Sequence, residues 1–95
     1  MEDSIWIVYI VEAENGHFYT GITKDLERRF QEHISSPKSA KFFRRSPAKK
    51  IVYFKAGFSH SEALKEERRI KSLSRTEKLA MISPHPNDIS HPEFF

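Results

Sequence analysis

The sequence predicts a small α/β layered domain: a three-stranded, mainly antiparallel sheet flanked by helices. Three observations lead there. Ile5 to Val11 is an unbroken β-branched and aromatic run, apolar on both alternating faces, so it reads as a strand buried on both sides. Asn15-Gly16 follows, the strongest short hairpin signal, and His17 to Ile22 forms the return strand. Two helical patterns then alternate with a third strand-like run, an order that covers both faces of one sheet. At 95 residues this is one domain with a modest core. The domain takes residues 1–82. Residues 83–95 hold Pro84, Pro86 and Pro92, show no periodicity, and read as an extended C-terminal tail.

The first helix runs from Leu26 to Ser35. Leu26, Arg29, Phe30 and His33 recur at the spacing of one helix face. Asp25 caps it by accepting first-turn amide protons, and Ser36-Pro37 ends it. Its inner face therefore carries two apolar anchors, a permanent cation and a titratable ring, a set suited to holding a phosphate. Residues 38–46 read as a short basic helix or ordered loop. Ile51 to Phe58 is the third strand. Ser59 with Glu62 forms a capping box for the second main helix, whose apolar stripe is Ala63, Leu64, Ile70 and Leu73. Glu67 lies on that stripe, and Glu66 is expected to point away. A carboxylate in an apolar stripe is costly unless paired or metal-bound. Residues 74–77 break the helix, and a short one resumes through Ile82.

The ordered set of Val8-Tyr9-Ile10, Tyr19-Thr20-Gly21, Arg29, His33 and a later helical Glu67 resembles the GIY-YIG nuclease superfamily. The likeness runs from about Trp6 to Ile82 and is nearest the small single-domain members. It implies a metal-dependent endonuclease hydrolysing DNA phosphodiester bonds. By the resemblance, Arg29 holds the scissile phosphate, Tyr9 or Tyr19 accepts a proton or positions the nucleophile, and His33 supplies or relays a proton. Glu67 matches the metal-binding glutamate, and one carboxylate with waters and phosphate oxygens suits Mg²⁺ or Mn²⁺. Ile7 stands where the first tripeptide has glycine. An Asn about a dozen residues after the Glu is absent from the stretch Thr76-Glu77-Lys78-Leu79, which moves that role to Lys78 or Thr76. That absence keeps an alternative open: a catalytically degenerate domain that binds nucleic acid without cutting. A scaffold binding protein through Phe42-Phe43 or Phe94-Phe95 is the third reading.

The likeness also constrains the hairpin. A two-residue Asn15-Gly16 turn would pair Tyr9 with Ile22 and put Tyr9 and Tyr19 on opposite faces. For both to line one site, paired numbers must have an even sum, so the loop has three or five residues with Gly16 in a left-handed bulge position. Gly21 allows either a left-handed turn or a close backbone approach.

Charge suggests the partner. The net charge is +3, and residues 24–50 hold nine cations against three acids. That stripe fits a polyanion, here nucleic acid, DNA first, bound in a salt-sensitive and weakly sequence-specific way. Gly21, Lys24, Arg28, Lys41, Arg44, Arg45 and Lys49 are the expected binding residues. Taken singly, Tyr9 also reads as a core aromatic and Arg29 as an ion pair with Glu32 or Asp25. With no cysteine, there is no disulfide-linked partner. The longest apolar run is too short for a bilayer, and the N-terminus lacks a secretory signal, so a cytoplasmic, membrane-free monomer is expected.

Overall fold

In the computed structural model, which describes residues 5–35 and 46–82, the apolar run becomes the central strand of the sheet. Strand β1 (Trp6–Ala13) lies between β2 (Phe18–Thr23) and β3 (Ala48–Phe58), antiparallel to both. Val8, Tyr9, Ile10 and Val11 are at most 1% exposed, as a strand covered on both faces requires. Alternation sends Tyr9, Val11 and Ala13 to one face and Val8 and Ile10 to the other. Helix α1 (Leu26–Ser35) closes the first face through Phe30 and Leu26. Helices α2 (His60–Lys71) and α3 (Arg75–Ile82) close the second through Ala63, Ile70, Met81 and Ile82.

The hairpin has the even register. Tyr9 pairs with Gly21 and Val11 with Tyr19. The Ala13 amide donates to the His17 carbonyl at 2.9 Å, leaving a three-residue connection. Gly16 sits at φ 87°, where side chains are disfavoured, and its amide donates back to the Ala13 carbonyl at 2.9 Å. The Asn15 amide donates to the Ser46 hydroxyl at 2.8 Å, tying the turn to the start of β3.

Each helix is started by its own sequence. Asp25 Oδ1 accepts from the Arg28 amide at 3.1 Å. Ser59 and Glu62 form the capping box of α2. Ser74 and Glu77 form a second one, with Glu77 Oε1 2.8 Å from the Ser74 amide nitrogen.

Strand β3 begins at Ala48 rather than Ile51. Lys50 reaches Glu12 on β1 at 3.9 Å, so two lysines that read as loop belong to the ladder. Its pairing with β1 shifts register three times, which puts both Val52 and Tyr53 on the α2 side. The expectations for 38–45, including Lys41, Arg44 and Arg45, and for the tail 83–95 lie outside the described residues. Among the described residues, no helix is long and apolar enough to cross a membrane.

Candidate active site

Tyr9 leaves the centre of the sheet on the α1 side and leans over its partner, Gly21. A Cβ at residue 21 would stand 2.6 Å from the Tyr9 hydroxyl oxygen and 3.1 Å from Tyr19 Cε2. Any other residue there would displace one of the tyrosines. Gly21 is not among the positive-φ glycines and β2 continues past it to Thr23, so the left-handed turn is corrected. Its glycine permits the close approach, and no nucleic-acid contact is needed to explain it.

Helix α1 supplies the phenol's partners. His33 Nε2 lies 2.9 Å from the Tyr9 hydroxyl, and the Arg29 guanidinium hydrogen-bonds the same oxygen. The i, i+4 spacing of Arg29 and His33 puts both on the face aimed at Tyr9. Arg29 also donates to Glu32 at 3.0 Å, so the ion-pair reading is realised alongside the bond to the Tyr9 hydroxyl. Tyr19 completes the group, its ring centre 6.4 Å from Tyr9 and 5.3 Å from His33 in an edge-on contact.

Burial sets the protonation states. Tyr9 and His33 are each 1% exposed. Burial above all, reinforced by Tyr19 and opposed by Arg29, pushes the Tyr9 phenol far above its ordinary value, so it keeps its proton. Burial, with the neighbouring Arg29 charge, brings His33 down to about 4, so its imidazole is neutral. Arg29 has only N–H groups to offer. Tyr9 therefore accepts from Arg29 and turns its own hydrogen toward Nε2, which assigns the Nδ1–H tautomer to His33. The result is a directed chain, Arg29 to Tyr9 to His33.

Glu66 does not point away as the stripe suggested. The two carboxylates flank the Ala63–Ile70 line, and their side chains are equally covered, at 19% exposure. Glu66 is held by Arg69 through bonds of 2.8 and 2.7 Å, and its charge acts on Tyr53 of β3. Glu67 pairs with Lys71 at 3.3 Å, and its charge is the one that acts on the Tyr9 phenol. Among the described residues no three His, Asp or Glu gather as a metal cluster. A single carboxylate such as Glu67 fits a hard cation that keeps most of its water, and does not fit a fully protein-ligated ion.

Beyond Thr23 lies a depression of about 390 Å³ lined by Lys24, Arg28 and Arg29 together with Asp25 and Glu32, with Trp6 in its wall; Arg29 is the residue it shares with the Tyr9 group, and Glu32 pairs with Arg28 at 3.6 Å and Arg29 at 3.0 Å. Lys24 lies 5.3 Å from the Trp6 ring centre. Lys49 does not join this cluster. It sits on the far edge strand, five residues from Phe54, the residue opposite Tyr9, or about 17 Å at strand rise. Sequence reasoning passed over the Thr20 hydroxyl, buried with no hydrogen-bond partner among the described residues. Nothing in the order of residues marks it, because Thr is an ordinary strand residue.

Comparison with known proteins gives the family. Residues 5–80 match the model of the GIY-YIG catalytic domain. A UPF0213 protein of Pseudomonas aeruginosa is 45% identical over 89 residues, covering 92% of this chain and 85% of its own. One from Cupriavidus necator is 44% identical, covering 88% of this chain and 90% of its own. The solution NMR structure of a UPF0213 protein from Bacillus halodurans is similar at TM-score 0.55 and 38% identity, over 87% of each chain. The chain with Tyr9 over Gly21 between Arg29 and His33 belongs to the GIY-YIG family of nuclease domains.

Proposed function

We propose that this chain is a metal-dependent endonuclease that hydrolyses DNA phosphodiester bonds at the Tyr9 site. The observation that carries this is the buried phenol held between a cation and a neutral imidazole. A phenol cannot accept a proton from water unless its own proton has somewhere to go. His33 Nε2, neutral and 2.9 Å away, is that place for the moment of reaction, a relay and not a resting acceptor, since burial and Arg29 keep its imidazole neutral between turnovers. As water attacks phosphorus, its proton passes to Tyr9 and the Tyr9 proton passes to His33. The P–O bond to the leaving group breaks, and His33 then returns the proton to solvent or to the leaving oxygen.

Arg29 holds the phosphate with its planar fork while keeping one bond to the phenol. Tyr19 packs against both rings and fixes their positions. Glu67 would hold Mg²⁺ or Mn²⁺ through one carboxylate oxygen, and the bound ion would supply positive charge against the charge developing on phosphate. Lys24 and Arg28 extend the positive rim along the backbone of the substrate. The residues 41, 44 and 45 add charge in sequence, so binding should weaken steeply with salt.

The test is a cleavage assay on labelled duplex, flap and single-stranded DNA at low salt with Mg²⁺ or Mn²⁺. Wild type should cut only with metal, and Glu67→Ala and Arg29→Ala should abolish cutting. Salt-sensitive binding without any cutting would replace this reading with a nucleic-acid binder that has lost catalysis, in keeping with the missing Asn.

A further inference from the structure

The outer edge of β2 carries a second basic cluster, well away from Arg29. The Ser74–Glu77 capping box starts α3 at Arg75, and the i, i+3 spacing puts Arg75 and Lys78 on one side of that helix. Both meet the beginning of β2. The Arg75 guanidinium lies 4.7 Å from the Phe18 ring centre, a cation–π contact that holds it over the ring. Arg75, Lys78, His17 and Phe18 together line an open depression of about 220 Å³.

Among the described residues, no acid lines it. Glu77, one residue from Lys78, turns its carboxylate back onto the Ser74 amide. Among the described residues, neither Arg75 nor Lys78 takes part in an ion pair. Two cations and an imidazole around an aromatic ring, with their charge uncompensated, suit a phosphate group.

The position gives the cluster its meaning. The Tyr9 hydroxyl lies over Gly21 on the α1 face, and Phe18 is three residues earlier on the same edge strand with its side chain on the α2 face, so the two positions lie on either side of the β2 edge. Along the strand the offset is about 10 Å, so a nucleic-acid backbone that reaches both crosses the β2 edge and spans at least about three nucleotides. The Lys24–Arg28–Arg29 rim lies past the other end of β2, so cations flank the reacting position on both sides.

We propose that Arg75 and Lys78, with His17 and Phe18, form a second phosphate-binding subsite that holds the nucleic-acid backbone where it passes the β2 edge, at least about three nucleotides from the phosphodiester at Tyr9. The proposal rests on the nuclease reading for the identity of the first position. It assigns Lys78 to the backbone of the substrate rather than to the family's missing Asn.

The experiment is fluorescence anisotropy with labelled DNA duplexes in EDTA, so that nothing is cut, over a range of NaCl concentrations. One duplex is short enough to cover only the Tyr9 site, and the other extends past Phe18. Wild type should prefer the longer duplex. The Arg75→Gln/Lys78→Gln pair should bind it about tenfold more weakly at low salt, with a salt slope shallower by about 1 to 2, one for each lost contact. The preference for length should collapse, and Lys78→Arg should keep it. The single Lys78→Glu variant, which leaves the Arg75–Phe18 stack in place, serves if the pair does not fold, and it too should lose the length preference. Equal affinity and equal slope for wild type and variants on the long duplex would overturn the subsite while leaving cleavage at Tyr9 standing. Loss of binding in the variants by a wild type that never cuts would uphold the subsite and overturn the nuclease reading. A wild type that binds no nucleic acid overturns both.

Discussion

Alternate residues of β1 open into two interiors of different character. Val8 and Ile10 enter an apolar core closed by Ala63 and Ile70, beside which the Thr20 hydroxyl is buried with no hydrogen-bond partner among the described residues. Tyr9, one residue away, enters a space where Arg29 and His33 share the core with Phe30 and Leu26. One side of the sheet is packed for stability. The other buries titratable groups, which is costly unless every one of them is hydrogen-bonded. The comparison teaches that the α2 side is packed from apolar groups alone, while the α1 side combines an apolar core with the buried, hydrogen-bonded groups on which the proposed chemistry rests.

The largest expected effect breaks the stable side. Ile70→Ala removes a fully buried side chain and should cost about 2–5 kcal/mol in urea unfolding, with cleavage by the folded fraction unchanged. A loss of cleavage by folded protein would mean that the two interiors are coupled and the contrast is false.

The next effect belongs to the chemical side. Folding brings His33 from its usual 6.5 to about 4, so the unfolded chain binds a proton that the folded one refuses. The stability held by neutral His33 is complete above pH 6.5 and is lost as pH falls toward 4, by roughly 3 kcal/mol in all. Urea unfolding of wild type and His33→Gln across that range isolates the contribution, since the carboxylates titrate in both. Parallel curves would show that His33 is not held neutral.

Gly21→Ala comes third. The added Cβ displaces the Tyr9 hydroxyl and should cut the cleavage rate about 100-fold, the scale of a misplacement near 1 Å, with a smaller change in stability. Full activity would mean that Tyr9 moves without consequence. The smallest effect sharpens the contrast from the apolar side. Thr20→Val removes a buried hydroxyl with no partner among the described residues and should raise stability by about 1 kcal/mol. Destabilisation would reveal a partner for that hydroxyl.

Local order was legible where local physics decides. The spacing of Leu26, Arg29, Phe30 and His33 fixed the helix and its inner face, and the caps at Asp25 and Ser59 fixed where helices start. The parity of the hairpin followed from asking Tyr9 and Tyr19 to share a face, and Gly16 supplied the turn. What the chain order concealed depends on partners far away in sequence. The early start of β3 rests on Lys50 meeting Glu12. Glu66 is covered because Arg69 and the Tyr53 side of the sheet lie beside it. Phe18 and Arg75 are 57 positions apart, and only the closed fold stacks one on the other.

The central claim is that the Tyr9 hydroxyl carries the proton transfer, and Tyr9→Phe tests it most directly. Single-turnover DNA cleavage and thermal unfolding would be measured on the same samples. The account predicts a fall in cleavage of about 100- to 10,000-fold with the fold retained, since only one oxygen is removed from a packed ring. Cleavage by folded Tyr9→Phe at the wild-type rate would contradict it and return Tyr9 to the core.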